Sequence, residues 1–246
     1  MKKLQLLLLM SLVYLIFMPI DFAYAAGEEV KLDTVSNPHQ EIVPDTVRDP
    51  HSKYTAKYNY NPRFHCTAIL ISSTAALTAK HCVKTKSQTL AGTIYPGASG
   101  PSTPFGYMNI SSYSLNSKYD IAVIKGTERD QDKFYKYYIK KFKTTVKGYT
   151  DQELKGFVDK EVYSYGYPYI GNIFYQYRSD GKITYYIDTF KLFYTDLPAV
   201  GGQSGSGVFT KNGDFVGIII QSTTDKKAHV LPLTTEIADW INKNAN

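Results

Sequence analysis

The chain has 246 residues, 43% hydrophobic, 20% charged and 14% aromatic, a size open to one or two domains and too apolar for a disordered polypeptide. Its formal charge of +6 is too small and too dispersed to indicate nucleic acid by itself. Two cysteines exclude a disulfide-stapled miniprotein and a four-cysteine zinc site, and no internal repeat points to a solenoid.

At the start, Lys2 and Lys3 precede an apolar run from Leu6 to Met18, and Ala23-Tyr24-Ala25 is a small-x-small cleavage signature. Thirteen residues make about 20 Å of helix, too short for a hydrocarbon core of roughly 30 Å. Residues 1–25 are therefore expected to be a signal peptide, and the mature protein to be secreted without membrane insertion. Residues 26–41 carry Glu28, Glu29, Asp33 and Glu41 against Lys31 and lack any periodicity. That suits a disordered arm or a propeptide removed on maturation.

From Tyr54 onward, short runs rich in Tyr, Thr, Val, Ile and Phe alternate with Gly, Pro, Asn, Ser and Asp, the pattern of an all-β chain. Strands are expected at Thr67–Ser72, Ala75–Thr78, Ile121–Lys125, Glu161–Tyr165, Lys182–Tyr186, Val208–Thr210 and Phe215–Ile220. Lys211-Asn212-Gly213-Asp214 is a hairpin signal, since Asn-Gly readily takes positive φ. Only the end reads as helical: Thr234 or Thr235 can cap it, and Ile237, Trp240 and Ile241 share a face. The basic, aromatic stretch Lys133 to Lys143 is expected to be a solvated connection, with a grip on an anionic polymer or surface as the alternative. No glycine-rich phosphate loop leads a strand into a helix.

Chemistry concentrates in Gly201-Gly202-Gln203-Ser204-Gly205-Ser206-Gly207. Clustered glycines let backbone N–H groups turn toward one point and present a serine hydroxyl beside them. That hydroxyl needs a base. Of five histidines, His81 stands out, because it ends the apolar run Leu77-Thr78-Ala79 and precedes Cys82. A Cys66–Cys82 bridge, possible in an exported protein, would fix the loop that carries it. His39, His51, His65 and His229 read as surface or ordinary hydrogen-bonded residues. Asp120 at the mouth of Ile121-Ala122-Val123-Ile124 would be partly desolvated and would find a partner in a histidine.

The order His81…Asp120…Ser204, with Thr78-Ala79-Lys80-His81-Cys82, Asp120-Ile121-Ala122-Val123-Ile124 and the glycine-serine heptad, resembles the chymotrypsin-like serine endopeptidases. Within them it is most similar to the secreted bacterial branch of glutamyl endopeptidases, staphylococcal V8-type proteases and exfoliative toxins. The similarity spans residues 42–245 and includes Gly166-Tyr167-Pro168. It implies two six-stranded antiparallel β-barrels, trypsin-like, at about 54–130 and 145–232, a C-terminal helix at about 234–244, and a site in the crevice between the barrels. It further implies Ser204 as nucleophile, His81 as general base, Asp120 as its orienting acid, and Gly202 and Ser204 N–H groups as the oxyanion hole. A protein or peptide substrate, a monomeric state, no nucleic acid, no cofactor and no metal are expected.

Two departures stand out. Gln203 occupies the place where vertebrate digestive members carry an Asp that pairs with a newly freed α-ammonium group. Glu41-Ile42-Val43-Pro44 resembles the mature start of the bacterial branch, so cleavage near Gln40 or Glu41 is expected. Pro198, Ala199 and Ile219 are the expected primary pocket, and Ala199 and Ile219 stand where glutamyl endopeptidases have Thr and His. Without those partners a buried substrate carboxylate is poorly stabilised, so a more apolar pocket is expected unless His229, Lys226 or Lys227 turns in. A catalytically silent, toxin-like binding protein is the competing expectation.

Overall fold

The computed structural model describes residues 38–60, 64–83, 91–171 and 174–245. The expected leader and most of the acidic segment lie outside the described residues. Fourteen strands form two antiparallel sheets. After β1 (His39–Ile42), the first sheet is built from β2 (Thr55–Asn59), β3 (His65–Leu70), β4 (Ala75–Thr78), β5 (Thr93–Pro96), β6 (Met108–Asn109), β7 (Ser112–Leu115) and β8 (Ala122–Lys125). Its order is β6-β5-β2-β3-β4-β8-β7. This sheet is a curled half-barrel of seven strands, where a closed six-stranded barrel is expected. Among the described residues no ladder joins its outer strands; the chain itself runs from β6 through Ile110 and Ser111 into β7.

The second sheet contains β9 (Glu161–Gly166), β10 (Tyr177–Ile187), β11 (Leu192–Pro198), β12 (Gly207–Thr210), β13 (Phe215–Ser222) and β14 (Lys227–Pro232). These six close into a barrel because β10 pairs with both β11 and β9, and β1 adds to β10 from outside. The expected hairpin joins β12 to β13, with Gly213 at φ +88°.

Two helices depart from the expectation of a single one at the end. In α1 (Lys133–Ile139) Asp132 caps the N-terminus and Tyr135 and Ile139, four residues apart, are buried, so the basic stretch is anchored by one helical face. In α2 (Asp151–Lys155) Thr150 and Glu153 form a reciprocal capping box. The C-terminal helix α3 (Thr235–Asn244) is capped by Thr234 and buries Ile237, Ala238 and Ile241.

The core explains why β3, β4 and β8 read as unbroken apolar runs. Ala68, Leu70, Ala76, Ala122 and Ile124 pack inside the half-barrel. Their alternate neighbours Ile69, Leu77 and Val123 pack into the same cluster as Val208, Val216 and Ile218 of the closed barrel. Period-two alternation thus buries both faces of these strands, and the seam between the sheets becomes a continuous core. The Cys66–Cys82 disulfide, with Cα atoms 6.2 Å apart, ties β3 to the 3₁₀ turn Lys80–Cys82.

Because the bridge closes a loop of 16 residues, Cys66→Ala/Cys82→Ala should lose about 3 kcal/mol of stability. Urea unfolding of oxidised, reduced and doubly substituted protein checks this; equal midpoints would contradict it.

Candidate active site

Antiparallel pairing of β4 with β8 sets Thr78 opposite Ala122, so the residues just beyond them, His81 and Asp120, meet at the strand ends. The Asp120 carboxylate takes two bonds from one residue. The His81 backbone N–H donates to Oδ1 at 3.0 Å, and Nδ1 lies 2.7 Å from Oδ2. With Nδ1–H donating, the lone pair of Nε2 faces away from the carboxylate. Burial pushes the Asp120 carboxyl up, but the two His81 hydrogen bonds and the His81 and Lys80 charges outweigh it, leaving the group below its ordinary range. Asp120 therefore stays ionised and can stabilise an imidazolium.

Ser204 enters from the closed barrel on the loop between β11 and β12, and its backbone is bound to β3. The Thr67 N–H donates to the Ser204 carbonyl at 2.9 Å, and Thr67 Oγ1 donates to the Gly202 carbonyl at 2.9 Å. Gly205 sits at φ +91°, and a Cβ there would lie 2.1 Å from the Thr67 carbonyl; only glycine permits both the torsion and the approach. Cys82 Sγ lies 4.0 Å from the Ser204 carbonyl, so the serine backbone touches the residue that follows His81. Among the described residues no hydrogen bond joins the Ser204 hydroxyl to the imidazole.

Gly202 sits at φ +95°. The Gly201 carbonyl accepts the Tyr169 N–H at 2.7 Å, which pins that peptide; planarity then aims the Gly202 N–H the opposite way. Neither the Gly202 nor the Ser204 N–H has a protein acceptor among the described residues. Two free, neighbouring donors suit an oxyanion.

Ala199 and Ile219 are buried and Pro198 half-buried, all beside this loop. Ile219 accepts the Gly205 N–H at 2.7 Å and donates to the Ser206 carbonyl at 2.9 Å. His229 is not brought in. Alternation turns its neighbour Val230 into the core, and its own ring packs against Tyr194 at 4.3 Å, on the outside of the barrel. Lys227 is engaged by Asp225 at 2.8 Å. Cavities of about 440 and 380 Å³ lie elsewhere, around Lys147 and Lys211 and around His51 and Phe142. They touch none of the candidate site residues.

His65 is the residue the sequence reading undervalued. It is 4% exposed, its ring lies 4.3 Å from those of both Tyr169 and Phe174, and Nε2 is 2.8 Å from the Tyr167 carbonyl. A Cβ on Gly202 would fall 3.1 Å from that nitrogen. His65 thus forms the wall behind the glycine loop; its place next to Cys66 was the one available signal.

A hydroxyl within a glycine loop, an imidazole–carboxylate pair and two free backbone donors are the groups that a serine hydrolase uses. The model of the trypsin-like peptidase domain matches residues 66–218, more than half of the chain, and the chain belongs to that family and is a serine endopeptidase. No curated protein sequence matches the chain. Among solved structures, a Glu endopeptidase bound to MPD is 21% identical with a TM-score of 0.65, covering 83% of this chain and 95% of its own. The protease Anisep from Arthrobacter nicotinovorans is 15% identical with a TM-score of 0.63, covering 84% and 99%. Human heparin binding protein is 13% identical with a TM-score of 0.62, covering 83% and 94%. These three likenesses establish the trypsin-like fold.

Burial pushes the His65 imidazole down from 6.5 to about 4, with Lys57 adding to the shift and the Tyr167 carbonyl opposing it. The folded protein holds His65 neutral where the unfolded chain already binds a proton, so stability should fall as pH drops from 6.5 toward 4. One such proton gives a slope of at most about 1.4 kcal/mol per pH unit. Urea unfolding at pH 7 and pH 5 should show a smaller difference for His65→Gln than for the wild type; identical differences would contradict it.

Proposed function

We propose that this serine endopeptidase works through Ser204, His81 and Asp120 and is secreted by a bacterium. Ser204 Oγ attacks the scissile carbonyl while His81 Nε2 takes its proton, and a tetrahedral oxyanion forms against the N–H groups of Gly202 and Ser204. His81 then gives the proton to the leaving amine. Water, deprotonated by the same nitrogen, hydrolyses the acyl-enzyme. Asp120 holds the tautomer and stabilises the imidazolium. The observation that carries this reading is the pair of hydrogen bonds between His81 and the Asp120 carboxylate, beside a serine loop whose Gly201 carbonyl is pinned by Tyr169.

A fluorophosphonate probe should label the protein at Ser204, and Ser204→Ala should abolish labelling. Asp120→Asn should keep the fold and lower kcat by about 10⁴-fold, because the imidazole is then held in the wrong tautomer. Absence of labelling in correctly processed protein would overturn the catalytic reading in favour of a binding role.

We infer an apolar primary pocket from buried Ala199 and Ile219 and from the outward-facing ring of His229. Cleavage profiling on a peptide library should give preference for apolar residues before the scissile bond. Dominant cleavage after Glu would contradict the inference. Secretion is supported by the leader-like residues 1–25 and by the disulfide, and the N-terminal sequence of protein recovered from culture medium tests it.

A further inference from the structure

The residue before the nucleophile, Gln203, is wholly buried and carries no charge, and its side chain makes three hydrogen bonds. Its Oε1 accepts the Val200 N–H at 2.9 Å and Gln40 Nε2 at 3.2 Å, and its Nε2 donates to Ser179 Oγ at 3.4 Å. Gln40 belongs to β1, where it lies opposite Ser179 in the ladder with β10. Its two N–H bonds are shared among three acceptors: Ser179 Oγ at 2.8 Å, the Pro198 carbonyl at 3.2 Å and Gln203 Oε1. A residue 163 positions away in sequence thus braces both the nucleophile loop, through Gln203, and the expected pocket, through Pro198.

We propose that Gln40 is a positioning residue: its uncharged amide, supplied by the uncut chain, locks Gln203 and thereby sets the Gly202 and Ser204 donors. This deepens the protease reading and rests on it. A neutral glutamine before the nucleophile offers no countercharge to a buried ammonium ion, whereas a neutral donor satisfies its Oε1 without burying a charge. Gln40 supplies that donor without any new N-terminus. Cleavage between Gln40 and Glu41 would remove the donor and leave Gln203 Oε1 buried with one partner fewer. That peptide bond also lies within the β1–β10 ladder, which runs from His39 opposite Asp180 to Ile42 opposite Tyr177, so a protease reaches it only after local opening. The working enzyme therefore starts N-terminal to Gln40, ahead of the Gln40–Glu41 region that the sequence alone suggests.

The test uses the chain secreted from its own leader. Fluorophosphonate-labelled protein is isolated and its N-terminus sequenced, and labelling rates are compared for wild type, Gln40→Ala, Gln40→Glu (same shape, donor replaced by acceptor), Gln203→Ala and the Gln40→Ala/Gln203→Ala double variant. The labelled species should retain Gln40. Both Gln40 variants should label about tenfold more slowly, the loss of one buried hydrogen bond's worth of loop order. The double variant should label no more slowly than Gln203→Ala alone, and with a peptide substrate Gln40→Ala should lower kcat more than it raises KM. A labelled species beginning at Glu41, Gln40 variants that label like wild type, or effects that multiply in the double variant would each overturn the proposal while leaving the protease reading intact. Failure of wild type to label would instead remove the protease reading, and this proposal with it.

Discussion

Three consecutive residues of one strand carry the site. His65, Cys66 and Thr67 open β3, and each reaches a different part of the machinery. Cys66 is bonded to Cys82 and so fixes the turn bearing His81. Thr67 binds the nucleophile loop through the carbonyls of Ser204 and Gly202, and its own carbonyl accepts Thr78 Oγ1 at 2.8 Å. His65 holds the Tyr167 carbonyl, and its backbone N–H and carbonyl are both bonded at 2.7 Å to the Tyr169 hydroxyl. The candidate groups from two sheets are held near each other because both are fastened to the same stretch of backbone. The packing of Ile69, Leu77 and Val123 against the closed barrel keeps that stretch from shifting, and effective alignment of reacting groups depends on such stiffness.

The buried polar groups around the loop are arranged to need little charge. Gln203 is satisfied by amides and a hydroxyl, and His65 is kept neutral by burial. Asp120, half-buried and held by His81, carries a charge at the site, and Arg178 and Asp180 form an ion pair beside Ser179. Held 2.7 Å from His81 Nδ1, the Asp120 carboxylate can stabilise a transient imidazolium.

Much of this was legible in the residues. β4 and β8 read as strands because burial on both faces makes their text continuously apolar, and the β12–β13 hairpin announces itself through Asn212-Gly213. β14 carries no strong strand signal, since Lys227, Ala228 and His229 alternate outward and inward on a barrel wall. The capping pair Thr150 and Glu153 of α2 is a local signal, whereas α1 is held by two buried side chains, Tyr135 and Ile139, amid lysines. Within the site, His81, Asp120 and Ser204 stand in motifs whose local spacing reveals them. Gln203 is visible as a departure, but its partner Gln40 is not, because nothing local links two glutamines brought together by the pairing of β1 with β10. β6 spans only two residues, Met108–Asn109, too few for a strand pattern to show in the sequence.

The most direct test of the account is a crystal structure of the protein with a peptide boronic acid bound. The account predicts a covalent bond from Ser204 Oγ to boron, one boronate oxygen within about 3 Å of both the Gly202 and Ser204 nitrogens, and His81 Nε2 hydrogen-bonded to the adduct while Nδ1 keeps Asp120. An adduct whose oxygens both face solvent, with the Gly201–Gly202 peptide turned over, or a boronate attached elsewhere than Ser204, would contradict it.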